Sequence, residues 1–297
     1  MRILSAEETA ALLPYPALAK SVVEVLADHA RGQTVAPERL VVPLPGGATL
    51  LLMPAADPSI TVTKVVTVHP QQHPSVRAEV WMMRTQTGER LALLEGSVVT
   101  ARRTAAVSLL AAQTLAAHPS GPLLIIGAGT QGQSHLEAFQ EGLGTDKVYV
   151  YSRSLERAEA LASYARQRRM LAQAVRHLEP ALDEASLIVC ATTSPTPVLF
   201  KAAPEAFIAA VGAYRPEMAE VAPEVVRQAH IFVDTLEGAR AEAGDLLQAG
   251  VDWGQVQPLE AALHQPRPSS GIVLFKSVGH ALWDLAAARL AAQALGC

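Results

Sequence analysis

The sequence predicts an α/β protein, a Rossmann-type doubly wound parallel sheet joined to an α+β substrate and dimerisation domain. Three observations predict it. A short apolar run, Leu123-Leu124-Ile125-Ile126, delivers a complete G-x-G-x-x-G (Gly127, Gly129, Gly132) into a helical stretch. After that run, apolar strand candidates alternate with helix candidates, the pattern of parallel strands linked by crossovers. Before it, a helix leads into short alternating segments separated by turn residues, the pattern of an antiparallel sheet. With 297 residues, 50% of them hydrophobic, the chain suits two domains. They are placed at 1–118, completed by a C-terminal helix over 278–297, and at 119–277.

In chain order, Ser5-x-x-Glu8 matches a capping box, and 15–30 reads as a helix stopped by Gly32. Strands follow at 40–44, 49–53, 60–68, 78–85 and 90–94, with Pro45-Gly46-Gly47 and Thr87-Gly88 as turns. A long helix is expected over 100–117, ending at the junction Pro119-Ser120-Gly121. Strands of the second domain fall at 123–126, 147–151, 187–191, 207–211 and 231–234, each followed by a candidate helix. The first of these helices, 133–143, aligns Leu136, Phe139 and Leu143 on one face. The last helix, 281–295, is nearly all Ala and Leu and should be buried, against the first domain or in a dimer.

A net charge of -4, a pI near 6.1 and scattered Lys and Arg give no footprint for nucleic acid. Cys190 and Cys297 provide neither a disulfide framework nor a zinc spacing, which fits a reducing cytoplasm. No apolar run reaches the roughly 18 residues of a membrane span, and 1–13 lacks the core of a signal peptide, so the chain reads as soluble and unprocessed. His69 and His73 have an H-x-x-x-H spacing, but Pro70 and Pro74 forbid the helix that would align them, and no metal is expected. There is neither a Ser-centred nucleophile elbow nor a glycosidase-like pair of carboxylates.

The glycine turn is built for a dinucleotide. Gly127 permits the sharp turn, Gly129 lets backbone approach a pyrophosphate, and Gly132 packs helix on strand, while the helix N-terminal amides face the phosphates; Thr130 and Gln131, within the turn, are expected to contact the cofactor. The next strand ends Tyr151-Ser152-Arg153-Ser154, with no carboxylate to bond a ribose 2′-hydroxyl. Hydroxyls flanking an arginine suit a 2′-phosphate, so NADPH is expected. NADH is the alternative, if Ser152 merely caps the next helix and Arg153 is solvated.

Two cationic features stand out earlier. Alternation over 60–68 puts Lys64 on one face with Ile60, Val62, Val66 and Val68. An ammonium in that stripe either meets an anion or reacting group, or snorkels out from a sheet edge. Arg102 and Arg103 fall in the first turn of the expected 100–117 helix, where the macrodipole disfavours cations. They form either an anion site or a solvated pair.

At these positions the chain resembles the ornithine cyclodeaminase and μ-crystallin family over nearly its whole length. The resemblance is carried by Ala36-Pro37-Glu38-Arg39, Thr63-Lys64-Val65-Val66, Thr100-Ala101-Arg102-Arg103-Thr104-Ala105-Ala106, the glycine turn, and Phe275-Lys276-Ser277-Val278-Gly279. It implies that Arg39, Lys64 and Arg103 hold an amino-acid-type carboxylate. It also implies that Ser277 and Val278 close the nicotinamide side, with Thr192, Thr193 and Gly212 completing the cofactor contacts. A dimer is implied, in which the N-terminal domain covers the Rossmann cleft. Cyclodeaminases carry a catalytic Asp after the strand that here reads Ala209-Ala210-Val211-Gly212-Ala213, but this chain has Tyr214-Arg215-Pro216 there.

The resemblance therefore points to the branch that reduces cyclic ketimines, Δ1-pyrroline-2-carboxylate and Δ1-piperideine-2-carboxylate, to L-proline and L-pipecolate with NADPH. In that reading Lys64 contacts the carboxylate or, with a lowered pKa, donates a proton. Tyr214 hydrogen-bonds substrate or walls the pocket, and His280 is a remote proton relay or a packed helix-start histidine. The competing readings are an NAD-dependent cyclodeaminase or amino-acid dehydrogenase, and a non-catalytic NADPH-dependent ligand binder.

Overall fold

In a computed structural model that describes residues 1–72 and 76–297, the chain forms two units, Met1–Ala106 with His280–Cys297, and Val107–Gly279. His73 and Pro74, part of the H-x-x-x-H motif, lie outside the described residues.

The first unit begins with β1 (Arg2–Ile3), α1 (Ala6–Ala11), α2 (Tyr15–Ala30), β2 (Leu40–Pro43), β3 (Thr49–Ala56), β4 (Ile60–Val68), β5 (Val76–Arg84), β6 (Arg90–Glu95) and the start of α3 (Gly96–Leu115). The capping box forms as its residues require: Glu8 N donates to Ser5 Oγ at 3.2 Å, and Ser5 N donates to Glu8 Oε2 at 2.8 Å. The strands make one sheet in the order β1-β6-β5-β4-β3-β2, antiparallel from β2 to β6, with β1 parallel to β6. β4 is therefore an interior strand. Its alternation buries Ile60, Val62, Lys64 and Val66 on one face, which removes the snorkelling alternative for Lys64.

The expected helix over 100–117 starts earlier, at Gly96, directly after β6. Glu95 Oε2 accepts from Val98 N at 2.7 Å and so serves the first turn. A side chain at Gly96 would meet the Ala78 carbonyl carbon of β5 at 2.4 Å, so only glycine lets the chain turn there. Arg102 and Arg103 consequently occupy the second turn, beyond the strongest part of the macrodipole. The two units divide inside α3, and the junction drawn from sequence at 118/119 lies just past its C-terminal end.

The second unit contains β7 (Leu123–Ile126), α4 (Thr130–Leu143), β8 (Lys147–Tyr151), α5 (Leu155–Gln167), β9 (Leu171–Val175), α6 (Glu179–Leu182), β10 (Leu187–Cys190) and β11 (Phe207–Ala210). It continues with α7 (Pro223–Gln228), β12 (His230–Val233), α8 (Leu236–Glu242), α9 (Gly244–Ala249), β13 (Gln257–Pro258), α10 (Leu259–Ala262) and β14 (Val273–Lys276). Eight parallel strands form the sheet β13-β12-β14-β11-β10-β7-β8-β9. The chain winds outward from β7 to β9, then resumes on the other side of β7 at β10. That reversal puts the topological switch point between β7 and β10, where doubly wound sheets hold ligands. β7, β10 and β11 are buried along their whole length, which is why they read as unbroken apolar runs.

β9, β13 and β14 were not anticipated, and β10 is not followed by the expected helix. The segment 191–206 between β10 and β11 carries Pro195, Pro197 and Pro204, and no helix forms in it.

The first unit is completed by α11 (Ala281–Leu295), which packs on α2, β3 and β4. Small side chains allow close approach, and Ser21 Oγ of α2 donates to Ala286 O at 2.8 Å. Arg289 joins α11 to α2 and to the β3–β4 turn, through Asp28 at 2.6 Å and Asp57 at 2.5 Å. Arg289→Met keeps the stem but strips the buried Asp57 of its half-buried counter-ion. Urea unfolding is expected to show a loss of about 1–3 kcal/mol, and an unchanged midpoint would assign the packing of α11 to its apolar face alone.

Candidate functional site

The alternation of β4 carries Lys64 into the interior of the first unit, at 2% exposure. Its ammonium lies 3.0 and 2.9 Å from the two carboxylate oxygens of Asp284, in the first turn of α11. Arg103, 5% exposed, brings Nε to 3.3 Å from the same carboxylate. Arg39, half-buried in the segment before β2, adds a further positive field at Lys64. Burial, reinforced by the Arg103 guanidinium and opposed by Asp284, pulls the Lys64 ammonium down from 10.5 to about 8. Lys64 and Arg103 against Asp284 leave one net positive charge, and Arg39 adds to it. Such a cluster suits a small carboxylate.

Asp284 was not found from sequence. It is a single acid in an Ala- and Leu-rich helix, and its partners are 220 and 181 positions away, so no local spacing marks it. Arg102, by contrast, is spent on structure: Nε donates to Leu13 O at 2.8 Å, and its guanidinium carbon lies 4.0 Å from the Tyr15 ring centroid. The anion-site expectation for the Arg102–Arg103 pair is corrected to Arg103. His280 is the N-cap of α11, its Nδ1 accepting from Leu282 N at 3.3 Å, with its ring edge-on to Trp283.

In the second unit the glycine turn sits at the end of β7. Gly127 has φ +115°, donates its N–H to Tyr151 O at 2.9 Å, and a Cβ there would stand 2.4 Å from Ala191 O. A Cβ on Gly132 would strike Gly127 O at 2.0 Å, whereas one on Gly129 would meet nothing within 4 Å. Gly129 is also the N-cap of α4, without a side-chain cap. Two glycines are therefore required by the chain itself, and the third leaves open backbone beside a helix N-terminus. That cradle fits a pyrophosphate.

Thr130 is exposed and Gln131 half-buried in the first turn of α4. Ser154, not Ser152, caps α5, accepting from Arg157 N at 3.3 Å. Ser152 is half-buried and Arg153 exposed at the end of β8, with no carboxylate between 151 and 154. Thr192 and Gly212, beyond the ends of β10 and β11, donate their N–H groups to Glu220 at 2.6 Å each, and Thr193 is exposed. Ser277 Oγ donates to Asp234 Oδ2 at 2.8 Å, and that same oxygen accepts from Val278 N and Gly279 N. Tyr214 is 42% exposed after β11, with the Arg215 guanidinium carbon 5.5 Å from its ring centroid. Glu220, Asp234 and Asp245 were all missed from sequence, because nothing in their spacing separates them from surface acids.

A dinucleotide cradle in one unit and a buried cationic cluster in the other are features that a Rossmann-type oxidoreductase would carry. The model of the ornithine cyclodeaminase/mu-crystallin family matches residues 1–295, and the chain belongs to that family. It is 40% identical over 300 residues to a Δ(1)-pyrroline-2-carboxylate reductase of Burkholderia multivorans, covering 99% of this chain and 96% of that one. It is 39% identical over 302 residues to the Δ(1)-pyrroline-2-carboxylate/Δ(1)-piperideine-2-carboxylate reductase of Azospirillum brasilense, covering 99% and 96%. Among solved structures it resembles Δ(1)-pyrroline-2-carboxylate reductase of Thermococcus litoralis in complex with NADH and L-proline. There the TM-score is 0.91 at 28% identity, covering 100% of this chain and 98% of the other.

Asp284→Asn leaves two buried cations without their counter-ion and is expected to cost roughly 3–5 kcal/mol in chemical unfolding. Lys64 gives the complementary test. Between pH 8 and 10.5 it is neutral in the folded chain and protonated in the unfolded one. Unfolding then takes up a proton, and stability rises with pH across that window. Wild type should gain on Lys64→Met as pH rises from 7.5 to 10, and a constant difference would mean that Lys64 keeps its ordinary pKa.

Proposed function

We propose that this protein reduces the C=N bond of Δ1-pyrroline-2-carboxylate and Δ1-piperideine-2-carboxylate, giving L-proline and L-pipecolate, with NADPH as its preferred cofactor. The reductase activity is supported by near-full-length relatives at about 40% identity. The observation that carries the reading is the buried Lys64–Asp284–Arg103 cluster, a ready anchor for the one carboxylate that both ketimines share.

When bound, the reduced nicotinamide supplies the hydride that adds to the imine carbon. Arg103 and Arg39 fix the neighbouring carboxylate and so orient the ring. Asp284 keeps Lys64 and Arg103 from repelling one another, and it limits the positive charge that a protonated imine would face. Lys64, protonated at neutral pH but held at about 8, either binds the carboxylate or passes its Nζ proton to the imine nitrogen. Tyr214 hydrogen-bonds the substrate or bounds the pocket. Gly127, Gly129, Thr130, Gln131 and Gly132 hold the pyrophosphate, and Thr192, Thr193, Gly212 and Ser277 bound the nicotinamide end. The preference for NADPH rests on Ser152 and Arg153, because a 2′-phosphate finds a guanidinium there and no carboxylate.

A homodimer is supported by the sheet face of the first unit that α2 and α11 do not cover. Leu40, Leu52 and Val65 lie side by side across β2, β3 and β4 on that face. Leu40 is 57% exposed on that face of an edge strand, apolar area that a second copy would cover. The two free cysteines, Cys190 buried and Cys297 exposed, accord with a reducing cytoplasm. Among the described residues, no helix is long and apolar enough to cross a membrane.

The test is loss of reduced-nicotinamide absorbance with NADPH or NADH and each ketimine. Both imines should be reduced, with NADPH favoured. Arg153→Ala should raise the KM for NADPH about tenfold or more, since a charge-assisted contact contributes roughly 1.5–3 kcal/mol, and leave that for NADH unchanged. Tight NADPH binding without oxidation would instead favour a ligand-binding protein.

A further inference from the structure

Glu220, Asp245 and Lys276 lie together in the second unit at almost no exposure, 0%, 1% and 0%. Buried ions of this kind stabilise a fold little more than apolar side chains of the same size, so their contacts show what they supply. Glu220 Oε1 accepts from Thr192 N at 2.6 Å, just past β10. Its Oε2 accepts from Gly212 N at 2.6 Å and Ala213 N at 3.2 Å, just past β11. One carboxylate thus ties together two strand ends. Asp245 Oδ1 in turn accepts from Glu220 N at 2.6 Å and Val221 N at 2.8 Å, fixing the backbone of Glu220 itself. Lys276 pairs with Asp245 at 2.8 Å and donates to Ala213 O at 2.5 Å.

Ala213 is therefore held by its N–H through Glu220 and by its C=O through Lys276. Tyr214 follows it directly. The fit is close: a Cβ on Gly212 would stand 2.1 Å from Thr192 O and 2.5 Å from Glu220 Oε1. A Cβ on Gly244, beside Asp245, would stand 2.0 Å from Met218 O and 2.5 Å from Arg215 O, so the base of the 212–220 loop is seated with no slack. All three bonds to Glu220 come from N–H donors, which demands an acceptor at each and suits the ionised carboxylate. Burial pushes that carboxyl up, and Lys276 and the Thr192 N–H oppose the rise.

We propose that Glu220 is a positioning residue for the reduction, setting the backbone of Thr192, Gly212 and Ala213, and through it Tyr214, with Asp245 and Lys276 fixing Glu220 in place. The proposal rests on the reductase reading above. These positions follow the C-terminal ends of parallel strands, the side on which such sheets bind ligand. A displacement of about 1 Å in a positioning group can cost 10²-fold in rate.

The experiment measures kcat and KM for Δ1-pyrroline-2-carboxylate, the NADPH Kd by fluorescence, and thermal unfolding, for wild type, Glu220→Gln and Glu220→Asp. Glu220→Asp keeps the charge but withdraws the carboxylate by one methylene, so it serves where Glu220→Gln fails to fold. Either variant should lose about 30-fold or more in kcat, with KM and the NADPH Kd within about threefold. A lowered unfolding temperature with wild-type kcat in the folded variants makes Glu220 structural only and overturns the proposal. Absence of turnover by wild type itself overturns the reductase reading, and this proposal with it.

Discussion

Asp284 touches both Lys64 and Arg103 in a part of the first unit where none of the three meets appreciable solvent. Two cations cannot share such a place unaided, because each charge taken from water costs several kcal/mol and their mutual repulsion is poorly screened. The carboxylate resolves that conflict and leaves one positive charge over. The requirement reaches far along the chain. β4 supplies Lys64, α3 supplies Arg103, and α11 has to return from the far end of the sequence, pack on β3 and β4, and deliver Asp284. Its run of alanines lets it come close enough, and Arg289 ties it to Asp28 and Asp57.

The second unit uses buried carboxylates differently. Asp234 gathers the Ser277 hydroxyl and the N–H groups of Val278 and Gly279, while Glu220 gathers those of Thr192, Gly212 and Ala213. Where parallel strands end, their last N–H groups lose ladder partners, and an acid supplies acceptors that water would otherwise provide. In the first unit a buried acid balances side-chain charge; in the second, buried acids organise backbone.

Much of the fold could be read from local pattern. The helix over 15–30, the strands over 60–68, 123–126 and 147–151, and the helix over 281–295 have the boundaries that capping, alternation and apolar runs indicate. The early start of α3 was hidden because its cue lies in Glu95, whose side chain reaches forward to Val98 N, and in the close approach of Gly96 to β5. β9 was hidden because an edge strand is half exposed and lacks an apolar run. β14 follows a Pro- and Gly-rich loop and has only four residues. The cationic half of the site showed itself, since a lysine in an apolar stripe is anomalous on its face. The buried acids did not, because Asp284, Glu220, Asp234 and Asp245 bond groups on other segments to which no local spacing links them.

The most direct test of this account is calorimetric binding of L-proline, with the oxidised dinucleotide present, from pH 6.5 to 9.5. If the buried ammonium of Lys64 anchors the carboxylate, affinity is level below about pH 8 and falls above it, and Lys64→Met removes the pH dependence along with most of the affinity. Affinity that stays constant through pH 8, or a fall that persists in Lys64→Met, would contradict the proposal that Lys64, held beside Asp284, binds the carboxylate.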